Sequence, residues 1–271
     1  MDLGVAALSL VMGGAMGVVL ALTGAGGGVL AVPMLVFGLH LDMTQAAPVG
    51  LMAVGLAASL GAVLGLREGI VRYRAALMIG LTGMAAAPLG VRLAHELPNA
   101  PVMAAFAAVL GWVAWRNLSQ GRRGGPATVA VVRRTPACAM NPATGRLAWK
   151  APCTGLLALT GALSGLLSGL LGVGGGFVIV PLLSEISNVP SRGIVATSMA
   201  VIALVSVGGV WAAASQGAVD WSVALPFALG GVIAMLAGRR LTARCSGPRL
   251  QQAFGVLAAC VAVMMLGRAL A

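Results

Sequence analysis

The sequence predicts an all-α polytopic membrane protein built from two inverted repeats, each a glycine-turn hairpin followed by three transmembrane helices. Three observations predict it. The composition is too apolar for a soluble domain, the chain repeats itself at a fixed offset, and a glycine cluster interrupts each copy at the same place. Of 271 residues, 59% are apolar and 8% charged, with a mean hydropathy of +1.01. Soluble domains run near half apolar and a quarter charged.

The repeat sets the elements. Leu22-Thr-Gly-Ala-Gly-Gly-Gly-Val-Leu-Ala-Val-Pro-Met-Leu35 returns as Leu170-Leu-Gly-Val-Gly-Gly-Gly-Phe-Val-Ile-Val-Pro-Leu-Leu183, an offset of 148 residues. The same offset pairs Gly69 with Gly217, Tyr73 with Trp221, Gly83 with Gly231, Arg92 with Arg240 and Phe106 with Phe254. Such self-similarity marks a duplicated unit. Residues 1–118 are the first copy and 151–271 the second. Between them, Ser119–Lys150 holds three prolines and six basic residues, too polar to span, and reads as a connecting loop. A basic surface on anionic lipid is its alternative reading.

A transmembrane helix needs about twenty mostly apolar residues. In the first copy Leu3–Leu22, Ala46–Leu66, Ala75–Leu93 and Val102–Trp115 are the candidates; in the second they are Pro152–Leu171, Ile194–Ala214, Val223–Ala237 and Leu250–Leu266. No Lys or Arg precedes the first run, which argues against a cleaved signal peptide. A short apolar segment follows each glycine cluster, about Gly28–Leu39 and Gly176–Ser187. Twelve helical residues cover about 18 Å, against a hydrocarbon core of about 30 Å. The short segment therefore folds back on the helix before it, turning at the glycines inside the membrane.

Charge placement sets the orientation. With hairpins that return to their side of entry, every one of the 17 Lys and Arg except Arg92 and Arg268 faces one side. By the positive-inside rule that side is cytoplasmic. The linker is then cytoplasmic, both termini are periplasmic, and the copies are inverted. The net charge of +11 follows from these loops, so nucleic acid is not an expected partner.

Three successive glycines cost about 1 kcal/mol each inside a helix, relative to alanine. An irregular turn at membrane depth is tolerated only inside protein or beside a water-filled cavity. Glycine lets a ligand approach the backbone, and the helix that starts after the turn aims free N–H groups and its positive dipole end at it. Paired interruptions in two inverted halves mark a transporter's midplane site. The candidate substrate-binding residues are Gly26, Gly27, Gly28, Gly174, Gly175 and Gly176, with hydroxyls from Thr197 and Ser198. Close packing through small residues is the competing account. Thr197 and Ser198 correspond to Val49 and Gly50, so their contribution is one-sided, and such hydroxyls also bond their own helix carbonyls.

Pro33 and Pro181 should kink or end the short helices. Tyr73 and Trp221, beside loops, fit interfacial anchors. The six acids and both histidines fall near predicted ends, and Glu185 reads as a solvated helix end before a proton-coupling residue. Cys138, Cys153, Cys245 and Cys260 show neither CxxC spacing nor His partners, and no disulfide or metal framework is implied. Neither a metal nor a cofactor is expected, and nothing in the inventory suits an enzyme.

The paired GAGGGVLAVPML and GVGGGFVIVPLL segments, followed by Ala196-Thr197-Ser198 and its degenerate counterpart Pro48-Val49-Gly50, resemble the sulfite exporter TauE/SafE family of permeases. The resemblance covers both copies. It implies a multi-pass protein of the bacterial inner membrane that moves sulfite, a sulfonate or a related small organic acid. The expectation is a secondary transporter of a small anion working by alternating access, with membrane lipids around it and room for a coupling proton or ion. An anion channel and a membrane-embedded enzyme are the alternatives. The sequence sets neither the anion, the direction nor the oligomeric state.

Overall fold

The computed structural model describes residues 3–24, 27–122, 138, 151–187, 189–242 and 248–270. Ten helices hold most of them: α1 (Leu3–Thr23), α2 (Gly27–Gly38), α3 (Met43–Arg67), α4 (Tyr73–Glu96), α5 (Asn99–Arg122), α6 (Ala151–Leu171), α7 (Gly176–Ile186), α8 (Ser191–Ser215), α9 (Trp221–Thr242) and α10 (Pro248–Leu270). No strand is found among the described residues. Helices α1, α3, α4, α6, α8 and α9 are long and apolar enough to cross a membrane. Helices α5 and α10 are as long but carry polar ends, Arg116 to Arg122 in one and Arg249 to Gln252 in the other, and they pack on each other.

The outer surface is itself apolar. Leu77, Leu81 and Leu89 of α4, Val207 and Trp211 of α8, and Leu225, Leu229 and Ile233 of α9 are all exposed. In water such a surface would be an aggregation site; hydrocarbon covers it at no cost. Tyr73 and Trp221 open α4 and α9 and are exposed.

Without a hydrophobic drive between helices in lipid, small residues that let backbones close up become the cement. A methyl group at Gly13 of α1 would strike the Phe227 carbonyl of α9, and one at Gly17 would strike Gly231. The same contacts recur 148 residues on, where Gly161 of α6 abuts Ile79 of α4 and Gly165 abuts Gly83. In both seams the numbers rise together, so α1 runs parallel to α9 and α6 parallel to α4. Central helices α3 and α8 run antiparallel, since Gly65 meets Ala196, Gly61 meets Met199, Gly55 meets Ser206 and Leu51 meets Gly209.

The short second helices fold back as expected. Gly27 lies against Leu20 and Gly38 against Met12, which lays α2 antiparallel along α1. Pro33 and Pro181 sit within α2 and α7, and neither ends its helix. Each removes one backbone donor, and the helix continues for at least five residues because the lost bond is a single one in an otherwise complete ladder.

One expectation is corrected. Cys138 and Cys153 form a disulfide, their Cα atoms 5.2 Å apart and within bridging range. Both side chains are buried in a cluster with Leu157, Ile179 and Leu183, and Cys138 pairs with Ser187 in an isolated parallel bridge. The pairing escapes sequence spacing because tertiary packing brings Cys138 onto the first turn of α6. Cys260 is exposed and free, and Cys245 lies outside the described residues.

Candidate functional site

Each bend is closed by the helix before it. The Gly24 N–H donates to the Leu20 carbonyl at 2.8 Å, and the Gly172 N–H to the Ser168 carbonyl at 2.8 Å. Gly24 then presses on Val195 of α8, while Gly172 presses on Ala47 of α3. These two contacts correspond at the 148-residue offset, so each bend is seated against the long helix of the other copy.

The bends also touch each other. A Cβ at Gly28 would meet the Val173 carbonyl of the second bend. Val54 Cγ1 lies 3.2 Å from that Cβ position and 3.1 Å from the one at Gly174, and Ile202 Cγ2 lies 2.9 Å from the latter. Val54 and Ile202 are counterparts at the same offset, on the antiparallel pair α3 and α8. Gly27, Gly28 and residues 172–177 are all buried. Gly26 lies outside the described residues.

Helices α2 and α7 both begin at this meeting point, and the N-terminal N–H groups of an α-helix lack partners within it. Gly175 caps α7 with φ +68°, a left-handed conformation that costs an L side chain about 1–2 kcal/mol. Its carbonyl accepts from the Val178 and Ile179 N–H groups at 3.1 and 3.3 Å. The starts of α2 and α7 thus bring two positive dipole ends to one buried place.

Hydroxyls around the bends fall into two groups. Most bond a carbonyl one turn back in their own helix, as Thr160 does with Leu156 at 2.7 Å and Thr23 with Val19 at 2.7 Å. Thr197 donates to the Gly193 carbonyl at 2.6 Å and accepts the Arg72 N–H at 3.1 Å. Ser198 donates to Val195 at 2.8 Å, the residue that abuts Gly24. Both lie at the first bend, fully buried, with their protons committed.

The second bend has hydroxyls that sequence reasoning missed. Ser164 Oγ donates to the Gly175 carbonyl at 3.1 Å. Ser168, one turn nearer the bend, is fully buried with an unpartnered Oγ, as is the hydroxyl of Ser206 opposite Gly55. The signal was available: Thr160, Ser164 and Ser168 recur every fourth residue, which stacks them on one helix face. Their counterparts Met12, Met16 and Leu20 carry no hydroxyl.

Asp42, Glu68, Glu96 and Asp220 are exposed, as are His40 and His95, and among the described residues no three His, Cys, Asp or Glu side chains converge. Pro33 is buried within α2. A narrow cleft with room for about one water passes between Pro48, Leu51 and His95 and is lined by Ala47, the neighbour of Gly172. Chemically the centre offers backbone donors, hydroxyls and helix dipoles in an apolar enclosure.

A family model described as sulfite exporter TauE/SafE matches residues 9–265. A "Probable membrane transporter protein" of Xylella fastidiosa (strain 9a5c) is 27% identical over 260 residues, covering 94% of this chain and 93% of its own. The protein of the same name from strain Temecula1 is 26% identical over the same length. One from Methanocaldococcus jannaschii is 49% identical over 51 residues, 19% of each chain. No solved structure matches with significance.

Proposed function

The chain belongs to the sulfite exporter TauE/SafE family of membrane transporters, and from that premise we propose that it carries a small oxyanion, such as sulfite, a sulfonate or a related organic acid, by alternating access. One observation carries this reading: the start of α2 meets the second bend at Val173, and Val54 lies against both Gly28 and Gly174, so the starts of α2 and α7 come together in one buried place. Amide donors aimed at a common point suit an anion, and fixed dipoles need little reorganisation to accept one.

In this proposal 1–118 and 151–271 are inverted copies, a reading supported by antiparallel α3 and α8 and by the recurrence of the helix seams at one offset. Gly26–Gly28 and Gly174–Gly176 supply backbone contacts. Ser198 closes the first bend through Val195, and Thr197 acts by tying the α3–α4 loop to α8. Val54 and Ile202, which fill the space between the bends, would separate as the halves rock. The bacterial inner membrane is the proposed location, with the linker cytoplasmic and the termini periplasmic. The Arg67–Arg74 loop lies at the same end as Arg192, because Ile70 adjoins Gly193, and that grouping agrees with the positive-inside rule.

The test is thermal stabilisation of the purified protein by sulfite, sulfonates, thiosulfate and carboxylates. At least one anion should stabilise the wild type, and Gly175→Leu should lose the effect. Gly155→Leu, in open space on α6, should keep it. Equal stabilisation of wild type and Gly175→Leu would remove the bends as the site. Saturable flux in proteoliposomes separates a carrier from a channel.

A further inference from the structure

The loop between α3 and α4 holds a cation that nothing above uses. It lies over the first turns of α8: the Ile70 carbonyl is 3.4 Å from the Cβ position of Gly193, and Ala196 Cβ is 3.1 Å from that of Gly65. At its end the Arg72 N–H donates to Thr197 Oγ1 at 3.1 Å, and Thr197 passes its own proton to the Gly193 carbonyl at 2.6 Å. Thr197 and Val195 differ by two residues, about 3 Å of helix rise. Val195 abuts Gly24, so the Arg72 backbone is held at the depth of the first bend's tip.

The side chain is half-buried, and its Nε is fully enclosed without a hydrogen-bond partner. An arginine is charged at any accessible pH, and an enclosed charged donor left unpaired is costly. At the corresponding position of the second copy stands Asp220, exposed, whose carboxylate accepts from the Ser222 N–H and hydroxyl at 3.0 and 2.6 Å. One mouth of the bundle therefore holds a half-buried cation whose Nε has no partner, and the opposite mouth holds an acid already engaged in capping its helix.

We propose that the Arg72 guanidinium is an anion-docking site on the loop side of the bundle, which takes an oxyanion in its planar fork and loads the first bend from that side. The inference rests on the anion reading above. A guanidinium matches the paired oxygens of a sulfite, sulfonate or carboxylate, and the Thr197 staple fixes where it is presented. The acid at position 220 makes the two mouths unequal, so anion affinity is higher from the Arg72 side.

The experiment is flux of sulfite in proteoliposomes of known protein orientation, started from the Arg72 side, for wild type, Arg72→Gln and Arg72→Lys. Arg72→Gln should raise KM about tenfold, the effect of one charge-assisted hydrogen bond, with kcat within about twofold. Arg72→Lys keeps the charge without the fork and should fall between. Thr197→Val removes the staple but leaves the guanidinium, and should lower the melting temperature more than Arg72→Gln does. An unchanged KM in Arg72→Gln, or in Arg72→Lys should the glutamine variant not fold, overturns the proposal, as does a variant whose only change is lower stability. If wild-type vesicles carry none of the panel anions saturably, the carrier reading itself falls; saturable wild-type flux with unaltered variant KM removes Arg72 alone.

Discussion

The two glycine bends share one backbone plan and differ in what surrounds them. Gly24 on Val195 and Gly172 on Ala47 are the same contact made twice. The first bend's own helix brings Met16 and Leu20, whereas the second brings Ser164 and Ser168. Thr197 and Ser198, at the first bend, also come from the second copy. The second half thus furnishes hydroxyls to both bends, while the first adds Thr23, which donates to the Val19 carbonyl of its own helix. Duplication supplies the scaffold, and divergence after it supplies the polar chemistry. On the proposed mechanism the symmetric frame would move and the asymmetric lining would choose.

Matched substitutions test that difference. The widest disruption of the frame belongs to the matched pair Gly17→Leu and Gly165→Leu, one in each helix seam. Both put a side chain into a neighbouring backbone, and overpacking of this kind costs about 1–3 kcal/mol or more. The two variants should lose similar melting temperature in detergent. A large loss in one and none in the other would deny the common frame.

Ser168→Ala comes next, and its sign is informative. If the hydroxyl meets the anion, the variant binds about tenfold more weakly, one hydrogen bond's worth. If it is only a buried orphan, removing it raises stability by about 1 kcal/mol and leaves affinity alone. Leu20→Ala, at the counterpart position, should cost about 2–5 kcal/mol of stability as a core truncation without any change in anion selectivity. Titration by thermal shift reads both quantities.

The smallest functional effect concerns the linker. Disulfides persist in oxidising compartments and are rare in the cytosol, while the positive-inside rule sends the basic loops inward. On the proposed orientation Cys138 and Cys153 rest as thiols in growing cells and pair on exposure to air. A membrane-permeant maleimide, added to intact cells at neutral pH and kept in excess through denaturation, should label both. Failure to label without prior reduction would place the linker outside and reverse the topology.

Much of the fold was legible in the sequence because it is local or repeated. The second helices begin and end within a residue or so of the spans expected from the glycine clusters, since a cluster of glycines and a length too short to span are both written in the chain. The crossing of the bends was not legible. Val54 and Ile202 are ordinary apolar residues in apolar helices, and only tertiary packing shows that they stand between Gly28 and Gly174. Thr197 was singled out for its type, yet its bonds go to Gly193 and the backbone of Arg72, a partner 125 residues away. Ser164 and Ser168 are hard to pick out because their helix reads as merely apolar, although their four-residue spacing is written in the chain. The Cys138–Cys153 pair depends on where Cys138 settles in the fold, which no periodicity records.

The most direct test of the central claim is an anomalous-difference map of the protein with selenite, the selenium analogue of sulfite. A selenium peak is expected between the starts of α2 and α7, within hydrogen-bonding reach of the amides at Gly28 and Gly176. A peak found only elsewhere, or none at saturating selenite, would contradict it.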